Sequence, residues 1–158
     1  MRHAPRRAAH PSVKIAGRWV SLYRAIDQFG QVIDVLVTEK RDLAATRRFF
    51  THALNHSPRP TEVNTDRAPG YPRVLDELLP SACQITEQYA NNRVEADHGR
   101  LKARLRPMRG LKRLRSARVI CAGHAFVQDL RRGHYELALD LDPNHRLPAV
   151  FTELARAI

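Results

Sequence analysis

The sequence predicts an α/β fold in which a mixed five-stranded sheet is flanked by helices and followed by a helical C-terminal extension. Three observations carry this expectation. β-Branched and aromatic runs between Val13 and Val37 are punctuated by two tight-turn signals, Ala16-Gly17 and Asp27-Gln28-Phe29-Gly30, which is how consecutive antiparallel strands read. Helical and strand patterns then alternate from Asp42 to Thr86, as in a sheet covered by helices. From about Ala90 onward only helical spacing remains.

Taken in order, Met1 to Pro11 shows no periodicity, and residues 1–12 read as a disordered basic tail. Strands are expected near 13–16, 19–26 and 31–37. Asp42 is a natural N-cap for a helix whose Leu43, Thr46, Phe49, Phe50, Ala53 and Leu54 recur at helical spacing. The stretch from Asn55 to Pro60 breaks that helix, and 61–65 reads as a fourth strand. Tyr71, Val74, Leu75, Leu78 and Leu79 share one face of a short helix that Pro80 ends, and 82–86 is a fifth short strand. Asn91 and Asn92 both suit the N-cap of the next helix, whose face is Val94, His98, Leu101 and Leu105. Arg106-Pro107 stops it and Gly110 marks a turn. Ile120, Gly123, Val127 and Leu130 define a further helix, and Leu147, Val150, Phe151, Leu154 and Ile158 a last amphipathic one. The expected organisation is a tail over 1–12, a core over 13–134 and a helical tail over 135–158. Three strands, helix, strand, helix, strand is the order of an RNase H-like core, although many unrelated domains share part of it.

Lys and Arg total 27 against 16 Asp and Glu, a formal net charge of +11. Such an excess favours a polyanionic partner, with nucleic acid first. No segment approaches the ~20 apolar residues that a spanning helix requires. Cys83 and Cys121 stand alone, without the partners at metal-ligand spacing that a zinc site needs. Both read as buried thiols in a reducing cytoplasm.

Two carboxylates occupy positions where chemistry is built. Asp66 follows the expected end of the fourth strand, and Glu95 sits one turn into a later helix. Cleaving or transferring a phosphodiester requires an activated oxygen nucleophile and a stabilised leaving oxygen, which two Mg²⁺ ions can supply. Mg²⁺ takes hard oxygen ligands, so clustered Asp and Glu are the side chains for it. Each residue also has a plain structural role open to it. Asp66 before Ala68-Pro69-Gly70 suits an Asx turn, and Glu95 in a first turn complements the helix dipole. Between Arg100 and Arg118 there are nine Lys or Arg and no acid. Ordinary surfaces mix the two signs, so Arg100, Lys102, Arg104, Arg106, Arg109 and Lys112 are candidate phosphate contacts. Trp19, Tyr23 and Phe29 either stack on bases or fill the core, and His98 either orients Glu95, touches phosphate or packs inside. No Ser-His-Asp set, Gly-rich phosphate loop or His-Cys cluster is visible.

Several stretches, in order, resemble the catalytic half of bacterial insertion-sequence transposases with a DDE active site, within them the insertion-sequence-six family. They are Val13 to Trp19, Leu22 to Asp27, Asn64 to Pro69, Tyr89 to Lys102, Arg106 to Lys112 and Leu130 to Gly133. The resemblance implies an RNase H-like fold, Mg²⁺ chemistry, DNA ends and target DNA as partners, oligomerisation on DNA, and a cytoplasmic, nucleoid-associated protein. It places Asp66 on the family's second catalytic aspartate and Glu95 on its glutamate, both as metal ligands. The first aspartate falls at Ala9, and Ala8 to Ser12 depart from the pattern. With the family's helix-turn-helix also missing ahead of it, the chain reads as a truncated and defective transposase. Asp27, at the same end of the hairpin, is a conceivable substitute ligand. Two readings stay open, a strand-transfer domain that has lost activity and a noncatalytic DNA-binding remnant that inhibits intact transposase. An unrelated basic RNA-associated protein fits the motif run poorly.

Overall fold

The computed structural model of the chain describes the backbone of residues 6–9, 12–56, 58–86 and 92–158, and the side chains of 12–56, 58–86 and 96–158. Its strands are β1 (Arg6–Ala9), β2 (Ser12–Ile15), β3 (Arg18–Ile26), β4 (Val32–Thr38), β5 (Glu62–Thr65) and β6 (Cys83–Ile85). Its helices are α1 (Leu43–Asn55), α2 (Gly70–Leu78), α3 (Asn92–Leu105), α4 (Leu114–Arg132) and α5 (Pro143–Ala157).

β1 and β2 pair with one edge of β3 in a single register. Arg7 lies opposite Ile26, Ala9 opposite Arg24, Ser12 opposite Ser21 and Ile15 opposite Arg18. Six strands therefore fill five rows, in the order β4, β3, β1 with β2, β5, β6. The β1–β5 and β5–β6 pairs are parallel and the others antiparallel, which is the mixed five-row sheet expected. Arg6–Ala9 is a correction to the disordered tail. It is a central strand, hydrogen-bonded on one side to β3 and on the other to β5. Arg-Arg-Ala-Ala carries no apolar alternation, and its pairing with β5 spans more than fifty residues of sequence. Local pattern cannot announce a strand that forms because two neighbours need their backbone groups satisfied.

The turns follow the residues that permit them. Ala16 and Gly17 both adopt positive φ, 47° and 83°, as a two-residue type I′ hairpin demands. Asp42 caps α1, its Oδ1 accepting from the Ala45 N–H at 2.7 Å. α2 stops at Leu78, just before Pro80.

Strand alternation divides the core between the two faces of the sheet. Tyr23 and Ala25 pack with Phe49, Phe50, Tyr71 and Val74 from α1 and α2. Val13, Ile15, Val20 and Leu22 pack with Leu101 and Leu105 of α3 and with Ala117 and Cys121 of α4. Tyr23 is thus core, whereas Trp19 and Phe29 are exposed. Cys121 is buried as expected, but Cys83 is exposed, because it lies on the outermost row. The buried face of α4 is Ala117, Cys121, His124, Ala125, Gln128, Asp129 and Leu130, a smaller and more polar set than its apolar spacing implied. α5 buries Val150 and leaves Phe151 and Leu154 exposed.

Candidate active site and nucleic-acid interface

Asp66 directly follows β5, whose last residue, Thr65, is buried and lies opposite Ala8 of β1. The carboxylate therefore stands at the C-terminal end of the central parallel pair, level with Ala9. Its Oδ1 accepts from the Ala68 N–H at 3.2 Å, so the Asx turn anticipated as a structural role does form. Glu95 lies in the first turn of α3 by its backbone. Its side chain, and the capping role of Asn91 and Asn92, lie outside the described residues.

Two residues beyond Glu95, Asp97 ties α3 to the sheet. Its carboxylate accepts from Arg24 Nη1 and from Arg132 Nη2, each at 2.5 Å. Arg24 is 0% exposed and Asp97 1%, so this ion pair is fully desolvated. Burial lowers the Arg24 pKa and Asp97 opposes that shift. Among the described residues Arg24 Nε and Nη2 have no hydrogen-bond partner, and the residue sits opposite Ala9 in the strand register. Sequence reasoning missed this pair. Its signal was available, namely a charged residue inside the apolar run Leu22-Tyr23-Arg24-Ala25-Ile26 and an acid entering a basic helix.

Asp27 has a local occupation. Its Oδ1 accepts from the Phe29 and Gln31 N–H groups at 2.8 and 2.9 Å, closing the β3–β4 turn. Among the described residues, no three His, Cys, Asp or Glu side chains cluster closely enough to hold a metal ion. Ala9 brings no side-chain oxygen. Of the three positions that the resemblance assigned, Asp66 has a described carboxylate, and the side chain at Glu95 lies outside the described residues.

His98 is 7% exposed, and among the described residues neither ring nitrogen finds a partner. Burial first, then Lys102 and Arg24, push its pKa down to about 4, with Asp97 opposing. The imidazole is therefore neutral inside the fold, neither orienting a carboxylate as a cation nor gripping phosphate. In the unfolded chain it titrates near 6.5. The unfolded state thus binds more protons between those values, and the stability associated with a neutral His98, full above pH ~6.5, is lost as pH falls through about 4. His98→Leu should leave stability at neutral pH equal or higher, since no hydrogen bond is removed. Urea unfolding at pH 4 should show the substituted chain more stable by about 2–3 kcal/mol. Equal acid sensitivity in both chains would contradict a buried neutral His98.

The basic run forms a connected surface. Arg100, Lys102 and Arg104 lie on α3, Arg106 and Arg109 in the turn after it, and Lys112, Arg113, Arg115 and Arg118 at and after the start of α4; all nine are exposed. Leu101, Leu105, Leu111 and Ala117, interleaved with them, are buried. Amphipathic spacing thus directs every cation outward. Arg109 takes positive φ at 55°, followed by Gly110 at 78°, which turns the chain between the helices. Among the described residues none of the nine has an acidic ion-pair partner. The run is therefore an unneutralised cationic face.

A family model described as a DDE domain matches residues 8–134. The transposase for insertion sequence-like element IS431mec of Staphylococcus aureus (strain N315) is 32% identical over 97 residues, 58% of this chain and 43% of that protein. The transposase for insertion sequence element IS257 in transposon Tn4003 of Staphylococcus aureus matches to the same extent. The match spans less than half the length of these relatives. The HTLV-2 integrase catalytic core domain, solved in complex with magnesium in a trimeric form, superposes with a TM-score of 0.62 at 16% identity, covering 82% of this chain and 87% of that one. The catalytic core domain of BIV integrase gives 0.58 at 12% identity, with full coverage of both chains. These structures show an RNase H-like fold. The chain belongs to the DDE-domain transposases of the insertion-sequence-six family.

Proposed function

We propose that this chain is a DNA-gripping DDE core whose strand-transfer centre is incomplete at Ala9. Asp66 and Glu95 are its remaining catalytic carboxylates and the ligands through which it would meet Mg²⁺. The working unit in this reading is the 13–134 core together with β1, acting as an oligomer on DNA in the bacterial cytoplasm and nucleoid. The observation that carries the proposal is the unneutralised cationic face running from the helix of Glu95 into α4. Arg100, Lys102, Arg104, Arg106, Arg109 and Lys112 provide point charges and forks for phosphate, which position a duplex without reading its sequence. The missing carboxylate bears on chemistry and leaves this binding intact. A two-ion site clamps the attacking and leaving oxygens together. A lost ligand weakens one ion's site and displaces that ion, and displacements of this kind are costly in rate.

The test is the salt dependence of binding to blunt duplexes of unrelated sequence, read by fluorescence anisotropy. With six to nine cations in play, log K should fall against log[salt] with a slope of about −5 to −8. Affinity should be the same for different sequences, and Asp66→Asn should not change it. A flat salt response, or strong preference for one duplex, would contradict the proposal.

A further inference from the structure

Trp19 is the only tryptophan in the chain, and it is 66% exposed at the start of β3. An exposed indole offers a flat π-face on which a base can stack. Its surroundings are not apolar. Lys14, its partner across the β2–β3 hairpin, places Nζ 5.8 Å from the ring centroid. Trp19 borders a groove of about 460 Å³ that Arg18 and Lys112 also line, together with Ile15, Leu114 and the single acid Glu39. This corner is built rather than frayed. The hairpin turn is fixed by Ala16 and Gly17, and the Ala16 N–H donates to the Leu111 carbonyl at 2.8 Å while Ile15 bridges Leu111 in parallel.

That bridge has a consequence for the basic run. It fastens Leu111, and with it Lys112, against the hairpin, so the turn after α3 reaches the groove that Arg18 and Trp19 also line. The hairpin also projects past the C-terminal end of the central parallel strands, the end that carries Asp66. An aromatic residue on a groove that Arg18 and Lys112 also line, with Lys14 against its ring, is the kind of arrangement that holds unpaired nucleotides.

We propose that Trp19, with Lys14, Arg18 and Lys112, is a stacking site for an unpaired nucleobase of single-stranded DNA, extending the duplex grip of α3 and α4. This rests on the DNA reading above, and the experiment separates the two. Oligothymidylate of about 12 nucleotides, within the site size of such surfaces, is titrated into the full chain while Trp19 emission is followed. Anisotropy of a labelled blunt duplex is measured in parallel. Saturable quenching of Trp19 is expected. Trp19→Ala should weaken oligothymidylate binding about tenfold, as loss of one stacked base implies, and change blunt-duplex affinity less than twofold. Because Trp19 is exposed, the substitution should leave the circular dichroism spectrum and melting temperature unchanged. Duplex binding without quenching, or a Trp19→Ala chain that binds oligothymidylate as tightly as the parent, would overturn the stacking site alone. Binding to neither DNA would overturn the DNA reading as well. If Trp19→Ala instead abolishes self-association in sedimentation and leaves oligothymidylate affinity intact, the surface belongs to a second copy of the chain and the proposal is wrong.

Discussion

Asp97→Ala is expected to lower the melting temperature by about 10 °C. The reason is the environment of Arg24. Its guanidinium is fully buried between β3 and α3, and among the described residues Asp97 is its only ion-pair partner. Removing one member of a buried pair leaves an uncompensated charge in low dielectric, typically a loss of about 3–5 kcal/mol. Arg132, the other donor to Asp97, is partly exposed and can return to water. Replacing the pair together, Arg24→Met with Asp97→Leu, should recover most of the stability, because an apolar pair of similar volume carries no desolvation penalty. Thermal melts of the three chains check this. An Asp97→Ala chain within about 1 kcal/mol of the parent, an effect typical of an exposed ion pair, would mean that Arg24 is not held as described. The consequence reaches the site, because Asp97 lies half a helical turn beyond Glu95 and fixes the start of α3 against the sheet.

The second large effect concerns DNA. Arg104, Arg106 and Arg109 bridge the end of α3 and the turn after it, all exposed and without acidic partners among the described residues. Changing all three to Ala should make the salt slope of duplex binding shallower by about 2–3 units, since each phosphate contact contributes roughly 0.9. Stability should barely move, because all three side chains are exposed and at Arg104, the one helical position, alanine is at least as good a helix former as arginine. Anisotropy titrations at several salt concentrations read both slopes. An unchanged slope would reduce the basic run to solvated surface.

Much of the architecture was legible because its signals are local. The Ala16-Gly17 and Asp27 to Gly30 turns, the Asp42 cap and the Phe49–Phe50 helix face each depend on residues close in sequence, and each formed where expected. β1 was not legible, since Arg6–Ala9 is a strand only through β3 and the distant β5. The inner face of α4 was obscured for a different reason. His124, Gln128 and Asp129 are buried there among small residues, and hydrophobic spacing passes over buried polar groups. Asp129 illustrates how such a group is accommodated, its Oδ1 accepting from the Val32 N–H at 2.9 Å while burial raises its pKa to about 6. At the site, Asp66 followed its strand as the sequence indicated. Arg24 and Asp97 escaped notice because a charge in a strand and an acid in a basic helix acquire meaning only once the two elements are packed together.

In the proposed reading the chemical deficit lies at position 9. The most direct measurement is Mg²⁺-dependent joining of pre-cut DNA ends by two chains, the parent and one carrying Ala9→Asp, His10→Glu, Pro11→Thr and Ser12→Tyr. The four changes restore the carboxylate together with neighbours that can donate strand hydrogen bonds, which Pro11 cannot. The parent should show no joining above background. The substituted chain should join ends in Mg²⁺ and lose that activity with Asp66→Asn or Glu95→Gln. Joining by the parent at a rate that Asp66→Asn leaves unchanged would contradict the account, because the chemistry would then reside elsewhere in the chain.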